Sequence, residues 1–98
     1  MKELATVLAI AGRQVRVLLT DELPEGTVGQ WDPEEYTITI DASLNPVERS
    51  STMLHECIHI ADDLYNLRLS HQRVLLLELG LMQLLPALAD LWKDTADG

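Results

Sequence analysis

Within thirteen residues, Tyr36-Thr37-Ile38-Thr39-Ile40-Asp41-Ala42-Ser43-Leu44-Asn45-Pro46-Val47-Glu48, the chain changes its hydrophobic period. From Tyr36 to Asp41 large apolar residues alternate with Thr, the period of a half-buried strand. From Asn45 the residues are those of a helix start. Asn45 is a capping residue, Pro46 fits the first helical position, and Glu48 stands where a capping-box acid belongs. That helix is predicted to run to about Leu64, with Leu54, Cys57, Ile58, Ala61 and Leu64 on its apolar face. Asn66 is suited to a left-handed stop.

Strands lie before this switch and helices after it. Thr6–Ile10 and Gln14–Leu19 read as two strands joined at Ala11-Gly12-Arg13, with Val15, Val17 and Leu19 on one face and Arg16 on the other. Asp21–Gly26, with Pro24 and Gly26, reads as a loop. Thr27–Trp31 and Tyr36–Asp41 read as two further strands around the turn Asp32-Pro33-Glu34-Glu35. Two hairpins in one antiparallel sheet are expected. Downstream, Ser70 caps a second helix, with Leu69 and Val74 spaced as a staple across the cap. Val74–Leu85 is apolar nearly all round, which predicts burial. Pro86 is expected to end or kink it, with a last turn or two over Ala87–Trp92 and a fraying tail over Lys93–Gly98. The fold expected is α+β: a small antiparallel sheet of three or four strands followed by two main helices.

The chain of 98 residues is expected to be one domain, residues 1–98. Its 47% apolar residues include no Phe and four aromatics in all, so the core must be aliphatic. A domain this small is marginally stable, and a bound metal would help hold it. The net charge of −9, with scattered basic residues, argues against a nucleic-acid partner. A single cysteine, Cys57, allows no internal disulfide. The apolar run Leu4–Ala11 is too short to span a bilayer and continues into strand-like alternation. A cytoplasmic protein without a membrane partner is expected.

The chemistry concentrates in His55-Glu56-Cys57-Ile58-His59. Two His four apart on a helix project from one face a turn apart, the spacing that lets two imidazoles reach one zinc ion. Glu56, next to the first His, lies beside the open position of such a metal. There it accepts a proton from the activated water and passes it to the leaving amine. A chance match of this pattern is expected in well under about one in a hundred chains of this length.

Zinc needs a third protein ligand. Asp62 and Asp63 follow on the same helix, but each turn rises about 5.4 Å, which carries them too far along the axis. Glu78 is the better choice. It is the sole acid between Asp63 and Asp90 and stands inside Val74-Leu75-Leu76-Leu77-Glu78-Leu79-Gly80-Leu81, where an unpaired carboxylate is costly to bury. The competing reading is a carboxylate that reaches water or pairs with Arg73 or Arg68. Gly80 would let the two helices approach near the metal. His71, two turns before Glu78, reads as a surface residue at a helix start ahead of an oxyanion donor. Tyr65 reads as a packed residue at a helix end ahead of a hydrogen-bond donor to a transition state. Cys57, Trp31 and Trp92 read as packing residues.

With these residues the chain resembles small phage and prophage zincin-like proteins, related to the ImmA/IrrE-type metallopeptidases and to minimal gluzincins. The resemblance rests on Tyr36–Asp41, on Glu48 through the His55–His59 motif, and on Leu77-Glu78-Leu79-Gly80-Leu81. It implies zinc on His55, His59 and Glu78, with Glu56 as general base in peptide-bond hydrolysis. It also implies an extended peptide or protein substrate against an edge strand, for which Tyr36–Asp41 is the natural candidate. The chain departs from larger relatives in size, since little follows Leu85 to form a second wall of the cleft. The alternative expectation is therefore a catalytically inactive, zinc-stabilised interaction module of phage or prophage origin.

Overall fold

The computed structural model describes residues 2–3, 8–10 and 12–93. Thr6, Val7, Ala11, the Trp92 side chain and the tail 94–98, all given a role above, lie outside the described residues. Five strands, β1 (Lys2–Glu3), β2 (Leu8–Ile10), β3 (Arg13–Thr20), β4 (Gly29–Asp32) and β5 (Thr37–Asp41), precede two helices, α1 (Pro46–Tyr65) and α2 (His71–Lys93). The α+β class, with a small sheet followed by two helices, is the one expected.

Both expected hairpins are present. β2 pairs antiparallel with β3, and β4 pairs antiparallel with β5. The sheet they form is mixed, however, because β3 and β5 run parallel, with Val17 opposite Ile38 and Leu19 opposite Ile40. A simple meander would have placed β4 between them. Instead the order is β1-β3-β5-β4, with β2 also on β3, so β4 takes an edge. The physical reason lies in what each strand can bury. β3 and β5 supply Val15, Val17, Leu19, Ile38 and Ile40 to the core, whereas β4 offers Gly29 and Trp31 and leaves Gln30 and Asp32 in solvent. Placing β5 centrally covers both isoleucines, each worth about 1.5–3 kcal/mol when fully buried.

The turn between β4 and β5 is held by Asp32, whose Oδ1 accepts from the backbone N–H of Glu34 (2.9 Å) and of Glu35 (3.3 Å). α1 opens on the expected capping box. Asn45 Oδ1 accepts from Glu48 N–H at 2.8 Å, and Glu48 Oε1 accepts from Asn45 N–H at 3.1 Å. Asn66 ends the helix in the left-handed region at φ 52°. Ser70 Oγ then accepts from Arg73 N–H at 3.2 Å and caps α2.

α1 lies on the sheet. Ile60 joins the aliphatic core there, with Met53, Cys57 and Leu64 packed against it. The core-facing stripe is therefore Met53, Cys57, Ile60 and Leu64, rotated from the expected one. Ile58 is buried outside that core cluster. The rotation puts Ile60, fully buried, into the core and carries Glu56, 7% exposed, to the sheet edge. Tyr65 is 58% exposed and does not pack.

α2 overturns its expectation. It packs on α1, not on the sheet. Val74 is buried at its start, but Leu75, Leu76, Leu77, Leu79, Leu84 and Leu85 are exposed, as are Leu88 and Leu91. Pro86 neither ends nor divides it, and the helix runs on to Lys93. A two-layer domain of this size has no third layer to cover a second helix. Over His71–Leu91 the helix is also long and apolar enough to cross a membrane, with a mean hydropathy of 1.7.

Candidate metal centre

α1 presents Ser51, His55 and His59 one turn apart along the flank that meets α2. The two imidazoles face each other through Nε2, 3.1 Å apart, with ring planes at 73°. Two nitrogens on one tetrahedral zinc, each about 2.0–2.1 Å from the ion, stand about 3.3 Å apart, so this pair has the spacing for shared ligation.

Glu78, expected as the third ligand, reaches this pair from α2 but on the far edge of His55. Its Oε2 lies 3.0 Å from His55 Nδ1, and its Oε1 accepts from Ser51 Oγ at 2.6 Å. Arg68 and Arg73 do not take it. Burial works upward on the Glu78 carboxyl, but the Ser51 hydroxyl and the His55 ring outweigh it and hold it below its usual range. Glu78 thus meets the opposite edge of His55 from His59. Among the described residues no three His, Cys, Asp or Glu side chains converge on one point. The hydrogen-bonded row is His59–His55–Glu78–Ser51.

Glu56 sits one residue round the helix and is turned toward β4. Burial pushes its carboxyl above the ordinary range, against the opposing pull of His59 and His55. The reason it can fit there is Gly29. A Cβ at that position would stand 2.6 Å from Thr52 Cγ2 and 3.3 Å from Glu56 Oε1, so a side chain there would clash with the Thr52 methyl and press on the carboxylate. Gly29, Thr52, Glu56, His55, Ser51 and Glu78 line one open cavity of about 420 Å³ between the β4 edge and the two helices.

The substrate-edge expectation is corrected accordingly. β5 is enclosed between β3 and β4, and β4 is the strand whose free edge borders the motif. Ser51, Thr52 and Gly29 were not singled out from the sequence. Ser51 and Thr52 carry a usable signal, one helical turn before His55 and Glu56 respectively. Gly29 carries none, because its role depends on which strand takes the edge.

The other acids are occupied elsewhere. Asp63 Oδ2 accepts from Trp31 Nε1 at 2.8 Å, tying α1 to β4, and Asp62 Oδ1 accepts from Leu69 N–H at 3.0 Å, closing the loop before α2. Trp31 also packs on the core, as does Cys57, whose thiol burial pushes up. His71 is exposed at the start of α2, as expected, yet its ring lies 6.3 Å from that of His55 and rims the site. Gly80 does not serve a close helix contact near the cluster, since a Cβ there would meet nothing within 4 Å.

Comparison with protein-family models, with curated proteins and with solved structures finds no match to this chain. The functional reading therefore stands on the site itself.

Proposed function

We propose that this protein is a zinc-dependent metallopeptidase of minimal, gluzincin-like build. The observation that carries the reading is the facing His55 and His59 Nε2 atoms at 3.1 Å, with a buried carboxylate, Glu56, beside them on a cavity wall. His55 and His59 would hold the ion through their facing Nε2 atoms; Glu78 would be either the third ligand or, as it stands in this structure, the carboxylate behind His55. When bound, zinc supplies Lewis-acid polarisation of the scissile carbonyl and lowers the pKa of water.

The remaining work falls to this chain's own groups. Glu56, with its proton affinity raised by burial, takes a proton on its carboxylate and returns it to the leaving amine. The free edge of β4 offers backbone N–H and C=O groups to an extended peptide, which would lie beside Glu56 because Gly29 has no side chain. Glu78 holds His55 in place through Nδ1 in the geometry observed, the contribution a carboxylate makes behind a ligating His.

Zinc content, measured by elemental analysis on the wild type and on His55→Ala and Glu78→Ala, tests the site. One zinc per chain, lost in both variants, supports all three ligands. Zinc retained in Glu78→Ala with affinity about 10–100-fold weaker makes Glu78 an orienting group. No zinc in the wild type after reconstitution sinks the metal reading.

A zinc-stabilised interaction module is the second reading, and the exposed leucines of α2 favour it. Glu56→Gln separates the two. A peptidase loses turnover and keeps its zinc; a module loses nothing.

A further inference from the structure

The exposed leucines of α2 are ordered. Leu77, Leu84 and Leu91 recur every seven residues, with the small residues Gly80 and Ala87 between them, and Leu76 and Leu88 flank this seam. The seam lies on a different side of the helix from Val74, Glu78, Leu81 and Met82, which are wholly or partly sheltered. Leu75 and Leu79 stand apart from it, beyond a polar line of Gln72, Gln83 and Asp90. Exposure along the seam is 58% at Leu76, 58% at Leu84, 51% at Leu88 and 65% at Leu91. The patch is on the order of 500 Å², at the upper end of what a soluble monomer leaves bare.

We propose that this seam is a homodimer interface, in which the α2 helices of two copies pack antiparallel about a two-fold axis that crosses the seam at the level of residue 82, between Gly80 and Leu84. Size complementarity selects that arrangement. It sets Leu77 of one copy against Ala87 of the other, and Gly80 against Leu84, so in the central layers of the seam a large side chain meets a small one. A parallel, in-register pair would instead stack leucine on leucine and leave a gap at the glycines. Gly80 now has a role, because its bare Cα admits the second helix where no atom of its own chain stands.

Two further features agree. The antiparallel pairing lays Leu88 and Leu91 of the second copy over Leu76 and Arg73, where Leu69, Arg73, Leu76 and Leu77 already line an apolar groove. It also brings Asp90 of each copy to Arg73 of the other. Neither residue makes an ion pair within its own chain among the described residues. Contact along a 23-residue helix, about 34 Å long, with its flanking residues approaches the roughly 800 Å² per partner of a standard interface.

A lipid bilayer is the competing occupant, and the structure disfavours it. Glu78, near the middle of the first half of α2, is bound to His55 and Ser51 of α1, so a spanning helix would draw that polar row into hydrocarbon. The net charge of −9 opposes docking on anionic lipid.

The test is sedimentation equilibrium of the full chain, with Leu84→Glu and with the charge pair Arg73→Asp and Asp90→Arg, singly and together. The wild type is expected to be a dimer. Leu84→Glu should weaken it about a hundredfold or more without loss of helical circular dichroism, since Leu84 does not pack on its own chain. Each charge variant should weaken it about three- to tenfold, and the double variant should restore it, which a parallel pair would not do. A wild type that stays monomeric at all concentrations overturns the proposal. So does a dimer indifferent to Leu84→Glu. Flotation of the wild type with neutral phosphatidylcholine vesicles, abolished by Leu84→Glu, would assign the face to lipid instead.

Discussion

The two helices make a pair of opposites. α1 mixes apolar with polar residues, yet Glu56, Ile58 and Ile60 are buried and both its ends are held by side-chain or left-handed caps. α2 is longer and far more apolar, yet most of its leucines face solvent. Hydrophobicity alone therefore does not settle burial. A helix is buried when the topology supplies a surface for it, and the one sheet face available here is taken by α1. What α2 keeps for its own chain is a narrow contact with α1, through which Glu78 reaches the histidines. The rest of its apolar surface is free to be used between molecules.

The contrast can be broken or sharpened by substitution. The largest effect is expected in the chemistry of α1. Glu56→Gln should lower peptide hydrolysis by about 10²–10⁴-fold while zinc content and dimerisation stay as in the wild type, read by a cleavage assay beside elemental analysis. A proportionate loss of zinc would mean that Glu56 is a ligand and not a base.

Stability should divide the helices next. Ile60→Ala, at a site with 0% exposure, should cost about 2–5 kcal/mol in urea unfolding. Leu79→Ala, outside the proposed seam, should stay within about 0.5 kcal/mol. Equal costs at the two positions would mean that α2 is covered after all.

Gly29→Ala probes the seat of Glu56. The added methyl meets Thr52 and the carboxylate, so a loss of about 1–3 kcal/mol is expected, together with reduced turnover. Unchanged stability and activity would show that β4 can withdraw from α1 without consequence. The smallest effect is at the caps. Asn45→Ala removes one half of a reciprocal capping box and should cost about 1 kcal/mol. Ser70→Ala should cost less, because the start of α2 carries little of the packed core.

Much of this was readable from residue order because it is local. The switch from period two to a helix after Asp41, the capping box at Asn45, the left-handed stop at Asn66 and the Ser70 cap all depend on neighbours within a few positions, and all are present. The His55-Glu56-x-x-His59 spacing likewise needs only the helix repeat to bring two imidazoles together. Glu78 stood out as a lone acid in an apolar run, but that it meets His55 at Nδ1, away from His59, is seen only in the structure. The tertiary structure alone decided what depends on competition between distant segments. It placed β5 inside and β4 at the edge, because β5 has more to bury, and so put Gly29 against Glu56. It turned α1 so that Ile60 faces the sheet. It left α2 uncovered, because one small sheet face accommodates one helix, and no pattern within α2 records that the place was already filled.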